Sequence, residues 1–201
     1  MVGTRRAVQA DVLFVLRCCL TVTFLGAAVG KLRNRRGIVA VIGELLPIVD
    51  RHRAAGVVAL GGLVALETAL GLGFVIGVRL RLVALAATAS LVPFTWALLR
   101  LRKAEWGQGC ACFGVSDTAT RIGWVHIARN LVLAGASGAA VLLSGRPLAE
   151  PLWRQADAHL LATALAVGVA AALAYGLVEG LWQVSALRRV EPADAMTPES
   201  T

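Results

Sequence analysis

The chain of 201 residues is 58% hydrophobic and 16% charged, against about 45–50% and 25% in typical soluble domains. This composition excludes an ordinary soluble globular domain, because whole segments of about 18–25 residues carry almost no charge. The formal net charge of +8 does not indicate nucleic-acid binding, since the basic residues bracket apolar runs and are not interleaved with aromatic ones. The composition therefore predicts a membrane protein whose cations contact lipid headgroups.

Five apolar runs are each long enough to cross a bilayer as an α-helix. They are 12–30, 54–78, 82–99, 124–144 and 160–182. An open sheet cannot satisfy its backbone groups in lipid, and the runs are too continuous for barrel strands. The expected fold class is therefore all-α, a polytopic membrane bundle with a four-helix core and a fifth C-terminal transmembrane helix. Arg17 is not typical of a signal-peptide core, so we expect the first helix to be retained.

The remaining segments divide the chain into an N-terminal segment at 1–11, the four-helix domain at 12–144, a loop with the fifth helix at 145–189, and a tail at 190–201. The tail gains proline and acidic residues, which predicts disorder. Within the four-helix domain, the short apolar segment 37–49 is predicted to lie at the membrane interface. Because the crossings alternate, the loop after the first helix and the loop between the third and fourth helices share one membrane face.

The second of these loops contains the densest cluster of reactive side chains. Cys110 and Cys112 are separated by one residue and flanked by glycines, and so small a disulfide ring is strained and exchanges readily. Nearby cations, Arg102, Lys103 and Arg121, favour a thiolate. The spacing favours a redox pair, while two structural thiols or a soft-metal site for Cu(I) or zinc remain alternatives. Two further cysteines, Cys18 and Cys19, are predicted to be packing residues inside the first helix.

Charged residues also interrupt the apolar runs, and an ionisable group inside a membrane is a functional hypothesis by default. Glu67 lies near the middle of the second run, and Arg17 lies in the first. We predict that these two side chains pair, either to hold the two helices together or to relay protons. Arg129 is predicted to snorkel, stabilise a thiolate or bind an anionic headgroup, and Asn130 to form a hydrogen bond across the bundle.

Together these features resemble the methylamine utilisation protein MauE family, the redox-associated branch of the DoxX-like membrane proteins, over about residues 12–144. The matching residues are Arg17, Gly30-Lys31-Leu32, Leu46-Pro47, Leu66-Glu67, Gly71, Gly109-Cys110-Ala111-Cys112-Phe113-Gly114 and Arg129-Asn130. The Cys-x-Cys-Phe-Gly motif is the most specific of them. Ala111 departs from the family motif, which often has glycine there, and stiffens the loop.

The resemblance implies a membrane component of thiol–disulfide chemistry that supports maturation of a disulfide-containing client, as in methylamine utilisation. Cys110 and Cys112 would be the exchanging pair, acting with a thioredoxin-fold partner. The supporting residues would be Gly109, Phe113, Gly114, Arg17, Lys31, Glu67, Arg129 and Asn130. No cofactor is specified, and a quinone stays open as the group that completes the electron circuit. The alternative is a non-enzymatic membrane assembly or transport factor that uses the Arg17–Glu67 pair.

The expected location is the plasma membrane of a bacterium, with several crossings. On the face that carries the two loops and the C-terminus, 12 Lys and Arg residues flank the runs, against 6 on the opposite face. The positive-inside rule then places the cysteine loop in the cytoplasm. Disulfide chemistry favours the outer face, where thiols are not held reduced. Of the two orientations we prefer the outer face, with a cytoplasmic loop as the alternative.

Overall fold

The computed structural model describes residues 2–46, 53–77, 79–104, 124–144, 152–155, 162–164 and 166–168. Across these residues all regular structure is helical. The helices are α1 Val2–Arg33, α2 Arg35–Leu45, α3 Arg53–Ile76, α4 Leu80–Lys103, α5 Trp124–Leu143 and the short α6 Leu152–Gln155. The predicted all-α fold class is confirmed.

Four of these helices are long and apolar enough to cross a membrane. The spans are Val8–Arg33, Ala54–Ile76, Leu80–Lys103 and His126–Leu143, and they correspond to the first four predicted runs. Helix α1 begins at Val2 and so includes most of the predicted N-terminal segment. The chain is thus a polytopic helical membrane bundle. Most of the predicted fifth helix and all of the predicted tail lie outside the described residues.

An apolar core joins the four spans. Helix α1 packs against α3 and α5, and α4 packs against α5 and α3. The rings of Phe24 on α1 and Phe74 on α3 stack with their centres 6.2 Å apart. The buried residues of this core are Leu20, Phe24, Leu70, Phe74, Leu80, Ala84, Ala87 and Ala140. It fills the half of the bundle near the turn between α3 and α4, which we call the turn end.

The opposite end, which we call the loop end, is where α1 and α4 terminate and α5 begins. Val41 and Leu45 of α2 pack there against a smaller apolar cluster of Leu98, Leu101 and Ile127. The Arg102 guanidinium carbon lies 3.8 Å from the centre of the Trp124 ring, which ties the end of α4 to the start of α5. The helix ends that bound the two loops predicted to share a face therefore lie at the same end of the bundle.

Helix α2 is a separate short helix. Its N-cap is Asn34, whose side chain accepts a hydrogen bond from the Gly37 backbone N–H at 3.2 Å, as is usual for asparagine at a helix start. The helix ends at Leu45 after 11 residues, too few to cross a bilayer. The sequence correctly predicts that this segment does not span. Its location at the membrane interface stays a prediction.

Gly71 allows α1 and α3 to approach closely. A Cβ at this position would lie 2.8 Å from the Leu25 side chain. We expect Gly71→Ala to lower the free energy of unfolding by about 1–2 kcal/mol, because Leu25 must move aside. Unfolding by SDS titration in mixed micelles measures the change. The matched control is Gly61→Ala on the same helix, where an added Cβ meets nothing within 4 Å. Equal losses for the two variants would contradict the close approach.

Candidate functional site

Two opposite charges from different helices meet inside the bundle. Lys31 Nζ on α1 donates a hydrogen bond to Glu67 Oε1 on α3, at 2.5 Å. Lys31 is 3% exposed and Glu67 is 4% exposed. An unpaired charge is costly in a medium that cannot solvate it, whereas a hydrogen-bonded pair offsets much of that cost. The contact explains how both residues are tolerated within predicted spans.

The predicted Arg17–Glu67 pair is wrong. Arg17 is fully buried, and its Nε donates to the Phe74 carbonyl at 2.9 Å while a terminal nitrogen donates to the Val75 carbonyl at 3.3 Å. The physical reason is the register of two antiparallel helices. Arg17 precedes Lys31 by fourteen residues, about 21 Å along α1, so it meets the last turn of α3 instead of its middle.

Helices α4 and α5 complete the surroundings of the pair. The Lys31 nitrogen lies 5.6 Å from the centre of the Phe94 ring on α4, a cation–π arrangement. Arg129 on α5 is half-buried and interacts electrostatically with both Lys31 and Glu67. Lys31, Glu67 and Arg129 are called the charged cluster below. The structure thus brings together three of the predicted supporting residues, with contributions from four helices.

Helix α5 also places further polar side chains in the interior. Asn130 is 6% exposed, and His126, four residues earlier and so on the same side of the helix, is 9% exposed. Asn130 therefore faces the bundle as predicted, although its hydrogen bond across the bundle stays a prediction. Ser137 and Ser144 are buried too and were not identified from the sequence. The signal was available, because Asn130, Ser137 and Ser144 recur at seven-residue intervals.

The charged cluster lies well inside the loop end. Lys31 is level with Phe94, which precedes the end of α4 at Lys103 by nine residues, or about 13 Å. His126 lies nearer to that end, because its neighbour Ile127 packs with Leu98 and Leu101. The buried His126 of α5 therefore lies between the charged cluster and the loop end.

The predicted exchanging pair, Cys110 and Cys112, lies outside the described residues, as do Gly109, Phe113 and Gly114. The described residues that flank it, Ala104 and Trp124, both lie at the loop end. Cys18 and Cys19 are partly buried free thiols on α1, as expected for packing residues.

Comparison with known proteins agrees with this arrangement. The family model described as "Methylamine utilisation protein MauE" matches residues 9–144, which include α2 to α5 and most of α1. The chain belongs to the MauE family. A MauE relative, "Methylamine utilization protein MauE" of Paracoccus denitrificans, is 32% identical over 169 residues, which are 84% of this chain and 86% of the relative. No solved structure matches the chain. The resemblance to MauE proteins predicted over about 12–144 is thereby confirmed.

Proposed function

We propose that this chain serves methylamine utilisation as a membrane-embedded thiol–disulfide exchange protein. Cys110 and Cys112 are the exchanging pair, and a thioredoxin-fold protein is the partner. The exchange supports maturation of a disulfide-containing client. The observation that carries the proposal is geometric. The helix ends that bound the cysteine segment are tied together at the loop end by the Arg102–Trp124 contact, on the side of the bundle that holds the charged cluster.

The charge at the loop end supports thiol chemistry. Several exposed or half-exposed cations belong to the helix ends there, namely Arg33, Arg35, Arg36, Arg100, Arg102 and Lys103. Positive potential stabilises a thiolate relative to a thiol and so lowers the barrier to its attack on a disulfide. The same potential favours approach of a partner whose docking face is acidic.

The exchange needs no further reactant. A thiolate of the reduced partner attacks one sulfur of the Cys110–Cys112 disulfide, whose S–S bond breaks as a mixed disulfide forms, and the second cysteine leaves as a thiolate. The partner's other thiolate then attacks the mixed disulfide and releases this chain as a dithiol. Two electrons and two protons pass from the partner to this chain, and in the reverse direction the partner is reduced.

The location that fits this chemistry is the plasma membrane, with the loop end outside. A disulfide persists on the outer face because cytosolic reductants do not reach it. The basic loop end would instead favour the cytoplasm by the positive-inside rule. In the cytoplasmic orientation the same pair would receive electrons from a cytosolic thioredoxin-like donor, so the side decides the direction of transfer.

The experiment is mixed-disulfide trapping combined with complementation. A thioredoxin-fold partner whose second active-site cysteine is replaced by serine is expected to form a stable mixed disulfide with the wild-type chain. The Cys110→Ser/Cys112→Ser double variant should form none and should lose growth on methylamine in a strain that lacks its own MauE. Cys18→Ser/Cys19→Ser is the matched control, and it should retain both the adduct and growth.

Full growth of the Cys110→Ser/Cys112→Ser strain would overturn the proposal. The side is tested in the same cells with a membrane-impermeant maleimide, in the Cys18→Ser/Cys19→Ser background. Labelling only after mild reduction shows an outward-facing disulfide. Labelling that needs permeabilisation but no reduction shows cytoplasmic thiols, and it would exclude direct disulfide formation in an exported client.

A second candidate function is a non-enzymatic membrane assembly or transport factor. One observation favours it, namely that the buried Lys31–Glu67 ion pair joins two membrane spans, α1 and α3. This candidate predicts that the double cysteine variant grows on methylamine and that Glu67→Gln does not. The thiol-exchange function predicts that the double cysteine variant fails to grow, so the two functions are separated by one growth assay.

A further inference from the structure

The two carboxylate oxygens of Glu67 in the charged cluster differ in their hydrogen bonding. Glu67 Oε1 accepts the hydrogen bond from Lys31, while Oε2 is buried and makes no hydrogen bond to any described residue. A buried ion pair is stabilising only when its remaining lone pairs are also satisfied, and two apolar side chains often replace such a pair without loss. A half-satisfied buried carboxylate is instead suited to taking up a proton.

The pair can accept that proton without rearrangement of the helices. When Oε2 is protonated, Oε1 still accepts from Lys31, and the ammonium keeps its contact with the Phe94 ring. Desolvation of the carboxylate favours this state, whereas the positive charges of Lys31 and Arg129 favour the ionised form. The charged groups that act on Glu67 are Lys31 on α1 and Arg129 on α5, and His126 is the other titratable group buried on α5. Helix α4 faces the pair with the Phe94 ring.

Two routes lead from the pair to water. Toward the turn end lie the apolar core that begins with Leu70 and Phe74 and the buried polar side chains of Arg17, Ser137 and Ser144. Toward the loop end, the buried His126 lies beside a smaller apolar cluster. Each route therefore contains buried polar groups, and protons move along such groups and intervening water.

We propose that the Lys31–Glu67 pair is a proton-binding site. Its use rests on the proposed function. Each thiol of the Cys110–Cys112 pair releases a proton when it ionises to attack, and reduction of a disulfide to two thiols takes up two protons with two electrons from the partner dithiol. Glu67 Oε2 accepts one such proton and returns it, and no electrons pass through the pair.

The test is infrared difference spectroscopy on the full chain in phosphatidylcholine and phosphatidylglycerol vesicles. Acidification is expected to produce the carbonyl stretch of a protonated carboxylic acid, shifted in heavy water. This band should disappear in Glu67→Gln and remain in Glu44→Gln, which removes an exposed carboxylate of α2. Glu67→Asp, which keeps a carboxyl group, should retain a band at a shifted frequency even if Glu67→Gln fails to fold.

The absence of any Glu67-dependent band at every pH at which the protein stays folded would overturn the proposal. The band should persist in Cys110→Ser/Cys112→Ser, so loss of thiol exchange and loss of proton binding are read separately.

Discussion

Replacing Lys31 with methionine is expected to lower the free energy of unfolding by about 3–5 kcal/mol, because the Glu67 carboxylate is then left buried without its hydrogen-bond donor. Glu67→Leu should lower the free energy of unfolding by a similar amount, because the Lys31 ammonium is then left buried without its hydrogen-bond acceptor. The double variant Lys31→Met/Glu67→Leu should recover most of the loss, since two apolar side chains of similar volume fill the space of the pair. Unfolding by SDS titration in mixed micelles measures all three variants.

Two exposed residues serve as matched controls for this cycle. Lys103→Met and Glu44→Leu remove the same charges from exposed positions, and each should change the free energy of unfolding by less than about 0.5 kcal/mol. A double variant that is no more stable than either single variant would contradict a pairwise interaction. A double variant that folds well but fails to support growth on methylamine would separate the pair's role in function from its role in stability.

Arg17→Leu is expected to lower the free energy of unfolding by about 3 kcal/mol. Helix α3 ends at Ile76, so the carbonyls of its last turn have no donor within the helix. Arg17 donates to two of them, at Phe74 and Val75, and hydrogen bonds from a charged donor contribute about 1.5–3 kcal/mol each. Its positive charge is also favourable at a helix C-terminus.

Arg17→Lys should recover part of this loss, because lysine keeps the charge but donates from a single nitrogen and cannot reach both carbonyls with the geometry of a guanidinium. Arg81→Leu is the matched control, since Arg81 is exposed near the same end of the bundle. The same SDS titration measures these variants. If Arg17→Leu were as stable as the parent chain, the desolvation of the arginine would outweigh the capping of α3.

Several predictions from the sequence were correct because they depend on local properties. The first four spans were predicted from the lengths of the apolar runs, because the thickness of the bilayer sets how many apolar residues a helix needs to cross it. The shared end of the helix termini that bound the two loops follows from the alternation of crossings alone. The family follows from short motifs, of which the Cys110 to Gly114 segment was the most specific. None of these inferences requires knowledge of how one helix is aligned against another.

The partners of the buried charged side chains could not be predicted from such local properties of the sequence. Arg17 and Glu67 each lie inside an apolar run and carry opposite charges, so the sequence favoured pairing them. Lys31 is one of the cations that flank the short apolar segment 37–49, where a positive charge suits headgroup contact. The structure pairs Glu67 with Lys31 and places Arg17 on the last turn of α3.

What the sequence by itself determined is the all-α membrane class, the positions of the spans and the MauE family, since hydropathy and motifs are read along the chain. Only the tertiary structure decided which charges meet. The alignment of α1 against α3 is set by side-chain packing, including the close approach of Leu25 at Gly71. If α1 slides by one helical turn against α3, every contact between them moves by about 5.4 Å. The hydropathy of the chain is the same before and after such a shift, so it does not indicate which alignment forms.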